Sequence, residues 1–212
     1  MIRRSALPQP PLLVVTDRHQ ARVPLERLTA VAFEAGCRWL LLREKDMPPA
    51  ERLSLLERLV RLARPFGAAV MVSADIAAAK AAGAAGVHLP AGGDPAAARA
   101  ALGEGALIGY SAHDLAEVEA AARAGADYVT LSPVFGTESK PGYGPALGLD
   151  ELRAVAANVS IPVLALGGIT PANARSCLEA GASGLAVMGF VMRAADPAAS
   201  MAELLAAAGH DR

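Results

Sequence analysis

Ala124-Gly125-Ala126-Asp127-Tyr128-Val129 closes an Ala-rich segment and opens an apolar one. The same phrase, Ala-Gly followed after two residues by an apolar run, recurs as Ala35-Gly36-Cys37-Arg38-Trp39-Leu40, Ala82-Gly83-Ala84-Ala85-Gly86-Val87 and Ala180-Gly181-Ala182-Ser183-Gly184-Leu185. Glycine just past helically spaced apolar residues signals a helix C-terminus, because it enters the left-handed region without a Cβ clash. The apolar runs behind it have the length of buried strands. Each phrase therefore marks a helix ending and a parallel strand beginning, half of a βαβ unit.

Outward from these phrases, strands are predicted near Leu12–Thr16, Trp39–Arg43, Ala68–Ser73, Gly86–Leu89, Leu107–Tyr110, Tyr128–Ser132, Pro162–Leu166 and Gly184–Met188. Helices fall between them, with Pro48, Asp94 or Pro95, and Pro171 as start signals. Eight such units predict an α/β chain folded as a single (β/α)8 TIM barrel, with an open doubly wound sheet as the alternative. No linker or low-complexity tract divides residues 1–212, so one domain is expected, with 1–11 and 208–212 as frayed tails.

Composition narrows the class further. Twenty Lys and Arg against 21 Asp and Glu give a net charge of −1, which excludes bulk electrostatic attraction to nucleic acid or membrane. Hydrophobic residues at 53% exclude disorder over most of the chain. Cys37 and Cys177 form no CxxC and read as small core residues. The longest charge-free run, Ala154 to Ala174, contains Pro162, Gly167, Gly168 and Pro171, and does not read as a membrane span. The N-terminal apolar stretch is broken by Pro8, Pro10 and Pro11 and is no signal peptide, so a cytoplasmic location is expected.

Chemistry in such barrels sits on the loops after the strands. Those positions hold Thr16-Asp17-Arg18-His19, Arg43-Glu44-Lys45-Asp46, Ser73 and Asp75, Ser111 and His113, a long loop from Pro133 to Gly148, Gly167-Gly168, and Met188-Gly189. The two glycine-bearing loops come after the seventh and eighth strands, where this fold binds phosphate on bare backbone. Alternation sends Arg43 and Lys45 to the mouth and Glu44 away from it, which presents two cations to an anion; surface pairing with Glu44 or Asp46 is the plainer reading. Thr137, Ser139 and Lys140 lie in a glycine-rich loop suited to a lid. His113 has the residue type for proton transfer near neutrality, and also reads as a neighbour of a helix cap. His88, inside an apolar strand, reads as a hydrogen-bonded core histidine. Asp75 and Asp94 could approach a Mg²⁺ ion, although Asp94 is also a natural helix cap.

Val14-Val15-Thr16-Asp17-Arg18, Leu42-Arg43-Glu44-Lys45-Asp46, Gly86-Val87-His88-Leu89, Ile108 to His113, Ser132 to Lys140 and Ala165-Leu166-Gly167-Gly168-Ile169 together resemble the thiamine phosphate synthase and TenI superfamily. The resemblance runs through nearly the whole chain in order and independently implies a TIM barrel.

Within that superfamily the Leu89-Pro90 turn and the Ser111-x-His113 pattern look like TenI, the thiazole tautomerase. That implies aromatisation of a thiazole carboxylate phosphate by proton transfer, in thiamine biosynthesis and without a cofactor. His113 would be the acid/base, with Arg43 on the substrate carboxylate and Lys45 near it. Ser73, Ser111, Gly167, Gly168, Met188 and Gly189 would hold the substrate and its phosphate.

The alternative is the synthase, which condenses hydroxymethylpyrimidine diphosphate with thiazole phosphate and uses Mg²⁺. Lys45 and the clamp-like Thr137-x-Ser139-Lys140 segment agree with it. Its metal carboxylates are replaced here by Ala74 and Gly93, so Asp75 and Asp94, each one position late, would have to serve. A third reading is a barrel that binds a phosphate ligand without turnover. In every case the expected partner is a small-molecule thiazole phosphate, not nucleic acid or membrane, and a homo-oligomer stays open.

Overall fold

The computed structural model describes residues 6–137 and 145–209. Eight parallel strands, β1 (Leu12–Val15), β2 (Trp39–Leu42), β3 (Ala69–Ser73), β4 (Gly86–Leu89), β5 (Leu107–Ala112), β6 (Tyr128–Leu131), β7 (Val163–Leu166) and β8 (Gly184–Val187), close into a barrel in sequence order. The ring is completed by β1 pairing with β8, with Leu13 beside Ala186. The fold is the (β/α)8 barrel expected from the repeated phrase, and strand limits differ from the prediction by at most two residues. Gly36, Gly83, Gly125 and Gly181, one per phrase, all have φ between 62° and 112°, the left-handed region in which a Cβ would clash.

The helices that position the site are α1 (Leu25–Glu34), α2 (Pro49–Ala63), α3 (Ile76–Ala82), α4 (Pro95–Leu102), α5 (Leu115–Arg123), α6 (Gly148–Asn158) and α7 (Pro171–Glu179), followed by the short α8 (Gly189–Met192) and the closing α9 (Pro197–Ala207). Asp75 caps α3 by accepting from the Ala78 N–H, Asp94 caps α4 through Ala97, and Asp114 caps α5 through Glu117.

Strand alternation divides the core in two. Leu12, Val14, Leu40, Leu42, Val70, Val72, Ile108, Val129 and Leu185 face outward and bury the helices. Leu13, Val15, Trp39, Leu41, Met71, Leu107, Tyr128, Leu164 and Ala186 fill the barrel. Trp39 meets Tyr128 edge-on, with ring centroids 4.8 Å apart, and donates its Nε1–H to the Met71 Sδ. Cys37 and Cys177 are both buried, and burial pushes the Cys37 thiol up to about 11, which leaves it unreactive. Leu7 and Pro11, expected within a frayed tail, are held. Leu7 packs against the barrel filling and the Pro11 carbonyl accepts from Leu185 N–H. Among the described residues no helix is long and apolar enough to cross a membrane.

Candidate active site

The inward-facing rows continue past the packed interior to the C-terminal mouth, where they turn polar. Leu41 is followed on its row by Arg43, Met71 by Ser73, Leu107 and Gly109 by Ser111, and Tyr128 by Thr130 and Ser132. Leu41, Arg43, Ser73, Ser111, Thr130 and Ser132 line one cavity of about 1010 Å³. Arg43, Lys45, Ser73, Asp75, Ser111, His113, Thr137, Gly167, Gly168, Met188 and Gly189, all singled out from the sequence, border it. Asp94 does not. Ser139 and Lys140 lie outside the described residues.

Glu44 explains why Arg43 and Lys45 face the cavity. Its buried carboxylate accepts from Thr16 Oγ1 at 2.7 Å, from the Arg18 backbone N–H and from the Arg18 guanidinium. Asp46 in turn pairs with Arg18 at 2.7 Å and with His19. Both acidic neighbours are thus engaged elsewhere, and neither Arg43 nor Lys45 has an ion-pair partner among the described residues. The surface-pairing alternative is thereby set aside. The proximity of Arg43, and then partial burial, lowers the Lys45 pKa, as two like charges at one rim require.

His88 crosses from β4 into the barrel. Its Nδ1 is 3.0 Å from Tyr128 Oη and its Nε2 is 2.9 Å from Ser111 Oγ. Burial first, and the Arg43 charge second, lower its pKa to about 3, so it is neutral at pH 7. It is the hydrogen-bonded core histidine expected from the sequence, and it also borders the cavity. His113 is set by a different contact. Its Nδ1–H donates to the Ser132 carbonyl at 2.7 Å, while its backbone N–H donates to Glu117.

At the β7–β8 side, Gly167 and Gly168 have φ of 100° and 64°. Asn173 pins this turn by accepting from Thr170 N–H and donating to the Gly168 carbonyl. A Cβ on Gly168 would lie 2.5 Å from the Gly136 carbonyl oxygen, so the β6 loop depends on bare backbone there.

The sequence reading missed two cations. Arg52 reaches in from α2, and Arg193 from the end of α8. Neither lies at a strand end, so the strand-end pattern does not point to them.

The chain matches the family described as thiamine monophosphate synthase over residues 12–191. It belongs to that family. It is 43% identical over 197 residues to a putative thiamine-phosphate synthase of Geobacter sulfurreducens, covering 92% of each chain. It is 39% identical over 189 residues to the thiamine-phosphate synthase of Roseiflexus castenholzii, covering 88% of this chain and 83% of that one. Among solved structures it superposes on a thiamine phosphate pyrophosphorylase of Pyrococcus furiosus with a TM-score of 0.84 at 32% identity, covering 93% of this chain and 95% of that one. The chain is thus an enzyme of the thiamine-biosynthetic family, and the relatives' names favour the synthase over the tautomerase expected from the sequence.

The Mg²⁺ that the synthase resemblance implies does not fit these residues. Asp75 is the sole carboxylate among the described residues lining the cavity. Its Oδ1 accepts from the Ala78 N–H at 2.9 Å, and its Oδ2 from Arg52 Nη2 at 2.7 Å. Asp94, the second expected ligand, caps α4 away from the cavity, because the Asp-Pro start signal fixes it to the helix. No group of three metal-ligating side chains occurs among the described residues.

Proposed function

We propose that this protein is a transferase, a thiamine-phosphate synthase that joins a hydroxymethylpyrimidine diphosphate to a thiazole phosphate with release of diphosphate. The observation that carries this reading is the pairing of two anion-attracting poles in one cavity of about 1010 Å³. That volume is at the upper end for a single small-ligand site, about 300–1,000 Å³, and gives room for two phosphorylated substrates together. The names of the relatives support the same choice.

In this reading the Gly167–Gly168 turn and the Met188–Gly189 turn hold the thiazole phosphate through backbone N–H groups. The thiazole ring nitrogen then attacks the pyrimidine methylene carbon. The carbon–oxygen bond to the diphosphate breaks, and its electron pair leaves with the diphosphate. Arg43 and Lys45 face the charge that grows on the departing oxygen, in a site where they have no ion-pair partner among the described residues. Ser73 and Ser111 supply hydroxyls for orientation.

One observation favours the tautomerase as a second reading. With Asp75 the sole carboxylate among the described lining residues, Arg43 and Lys45 also suit a substrate carboxylate, and His113, at the same cavity, is of the residue type for a proton shuttle.

A paired assay separates the two. One reaction contains only the thiazole carboxylate phosphate tautomer. The other contains aromatic thiazole phosphate and pyrimidine diphosphate. Thiamine phosphate in the second supports the synthase. Aromatisation in the first with silence in the second moves the assignment to the tautomerase. Silence in both leaves a phosphate-binding barrel without turnover.

A further inference from the structure

The cavity wall near β2 and β3 is cationic in an unusual arrangement. Among the described residues four cations, Arg43, Lys45, Arg52 and Arg193, line the cavity against one carboxylate, Asp75. Arg52 extends from the first turn of α2 (Pro49–Ala63), donates Nη1–H to the Met47 carbonyl and Nη2–H to Asp75, and buries an Nε–H that has no hydrogen-bond partner. Arg52 is thus a cation held back by an internal anion, with one donor still unsatisfied.

The Asp75 side is equally informative. Burial alone would raise its carboxyl; the Ala78 N–H and then Arg52 overcome this and hold it below the ordinary value. The residue before it, Ala74, sits in the left-handed region at φ 63°, which turns Asp75 onto the start of α3 (Ile76–Ala82). An Asp in this setting has both oxygens occupied by protein donors. It has the geometry of a counter-ion: a guanidinium occupies one oxygen, and no second carboxylate among the described lining residues joins it to supply the several oxygen ligands that a hard cation takes.

We propose that the β2–β3 side of the mouth binds a diphosphate-class anion without a metal, and that Asp75 serves there as the internal counter-ion which Arg52 exchanges for that anion. Arg43 and Lys45 provide the fixed part of the charge, and Arg52 the part released on binding. Equating the anion with the reaction's leaving group rests on the synthase reading; the metal independence and the role of Asp75 do not.

The two roles for Asp75 predict opposite signs for one substitution. Asp75→Asn removes the charge and keeps an N-cap side chain, since Asn caps as well as Asp. Asp75→Ser does the same with a different shape and guards against a folding defect in the first variant. The probe is inorganic pyrophosphate titrated calorimetrically into the full chain, in EDTA and in excess Mg²⁺.

The expected result is binding in EDTA that Mg²⁺ does not strengthen. Both variants should tighten it by about fivefold, the upper end for a partly exposed ion pair. Adding Arg52→Gln to either variant should abolish the gain. Binding that requires Mg²⁺ and disappears in both variants overturns the proposal, as does the absence of pyrophosphate binding in either condition. Pyrophosphate binding as expected, with no thiamine phosphate formed in the turnover assay, removes the synthase reading alone.

Discussion

His88 Nε2 lies 2.9 Å from Ser111 Oγ while Nδ1 of the same ring lies 3.0 Å from Tyr128 Oη, so one buried imidazole links the barrel filling to the cavity wall. Both hydroxyls can donate or accept, and a neutral imidazole is satisfied in either tautomer. An imidazolium would have to donate at both nitrogens, with its charge buried and facing Arg43. The folded pKa, about 3, is therefore depressed below the ordinary value near 6.5. Between those values the unfolded chain binds the extra proton. This contribution to stability is complete above about pH 6.5 and is lost as pH falls, at about 1.4 kcal/mol per pH unit. Chemical denaturation at pH 7 and pH 5.5 should show that loss in the native chain and a flatter profile in His88→Asn. Equal slopes for the two proteins would mean that His88 is not held neutral.

Gly109 makes the His88–Tyr128 contact possible. A Cβ there would lie 2.3 Å from the Tyr128 ring and 2.5 Å from His88 Nδ1. Both rings are fixed by buried neighbours and cannot retreat at low cost. Gly109→Ala should lose about 1–3 kcal/mol, the range for overpacking in a close-packed interior. A midpoint of thermal unfolding unchanged from the native chain would show that the rings have room to move.

Much of this was legible in the sequence, for identifiable reasons. The Ala-Gly phrase works because a buried parallel strand needs only a short apolar run, and the helix before it needs a left-handed exit at Gly36, Gly83, Gly125 and Gly181. Alternation then placed Arg43 and Lys45 at the mouth with Glu44 turned away, since successive residues of one strand face opposite sides. Arg52 escaped because nothing local distinguishes it from Arg58 on the same helix. Its role comes from Asp75, 23 positions away and across the α2–β3 connection. Asp94 was legible as a cap and misleading as a metal ligand, because the same carboxylate serves either purpose in a sequence. The reaction class was harder to read than the fold. A carboxylate and a diphosphate both call for cations at Arg43 and Lys45, whereas cavity size and the relatives' names separate them.

Gly168 offers a direct test of the phosphate side. Its φ of 64° and the nearby Gly136 carbonyl forbid a side chain. Gly168→Val would strain the turn and push the β6 loop away from the backbone that faces the cavity. Inorganic phosphate affinity, measured by titration, should fall by about tenfold or more, comparable to the loss of one or two charge-assisted hydrogen bonds. Retained affinity in a variant that still folds would locate the phosphate on another part of the rim.

His113 separates the two reaction classes at the level of a single atom. Its Nδ1–H is committed to the Ser132 carbonyl, so any proton it moves passes through Nε2. In the condensation of a thiazole nitrogen with a pyrimidine methylene carbon, no proton changes hands at the reacting atoms. Replacement by asparagine keeps an amide N–H at the Nδ1 position for Ser132 and removes Nε2. For a synthase, His113→Asn should hold thiamine phosphate formation within about tenfold of the native rate, because positioning alone is disturbed. For a tautomerase the same change should cost aromatisation about 10²–10⁴-fold, the usual contribution of a general acid–base group. The proposed transferase therefore predicts a small effect on its own reaction. A hundredfold loss of thiamine phosphate formation, with pyrophosphate and phosphate affinities intact, would require a proton transfer that carbon–nitrogen bond formation with loss of diphosphate does not contain.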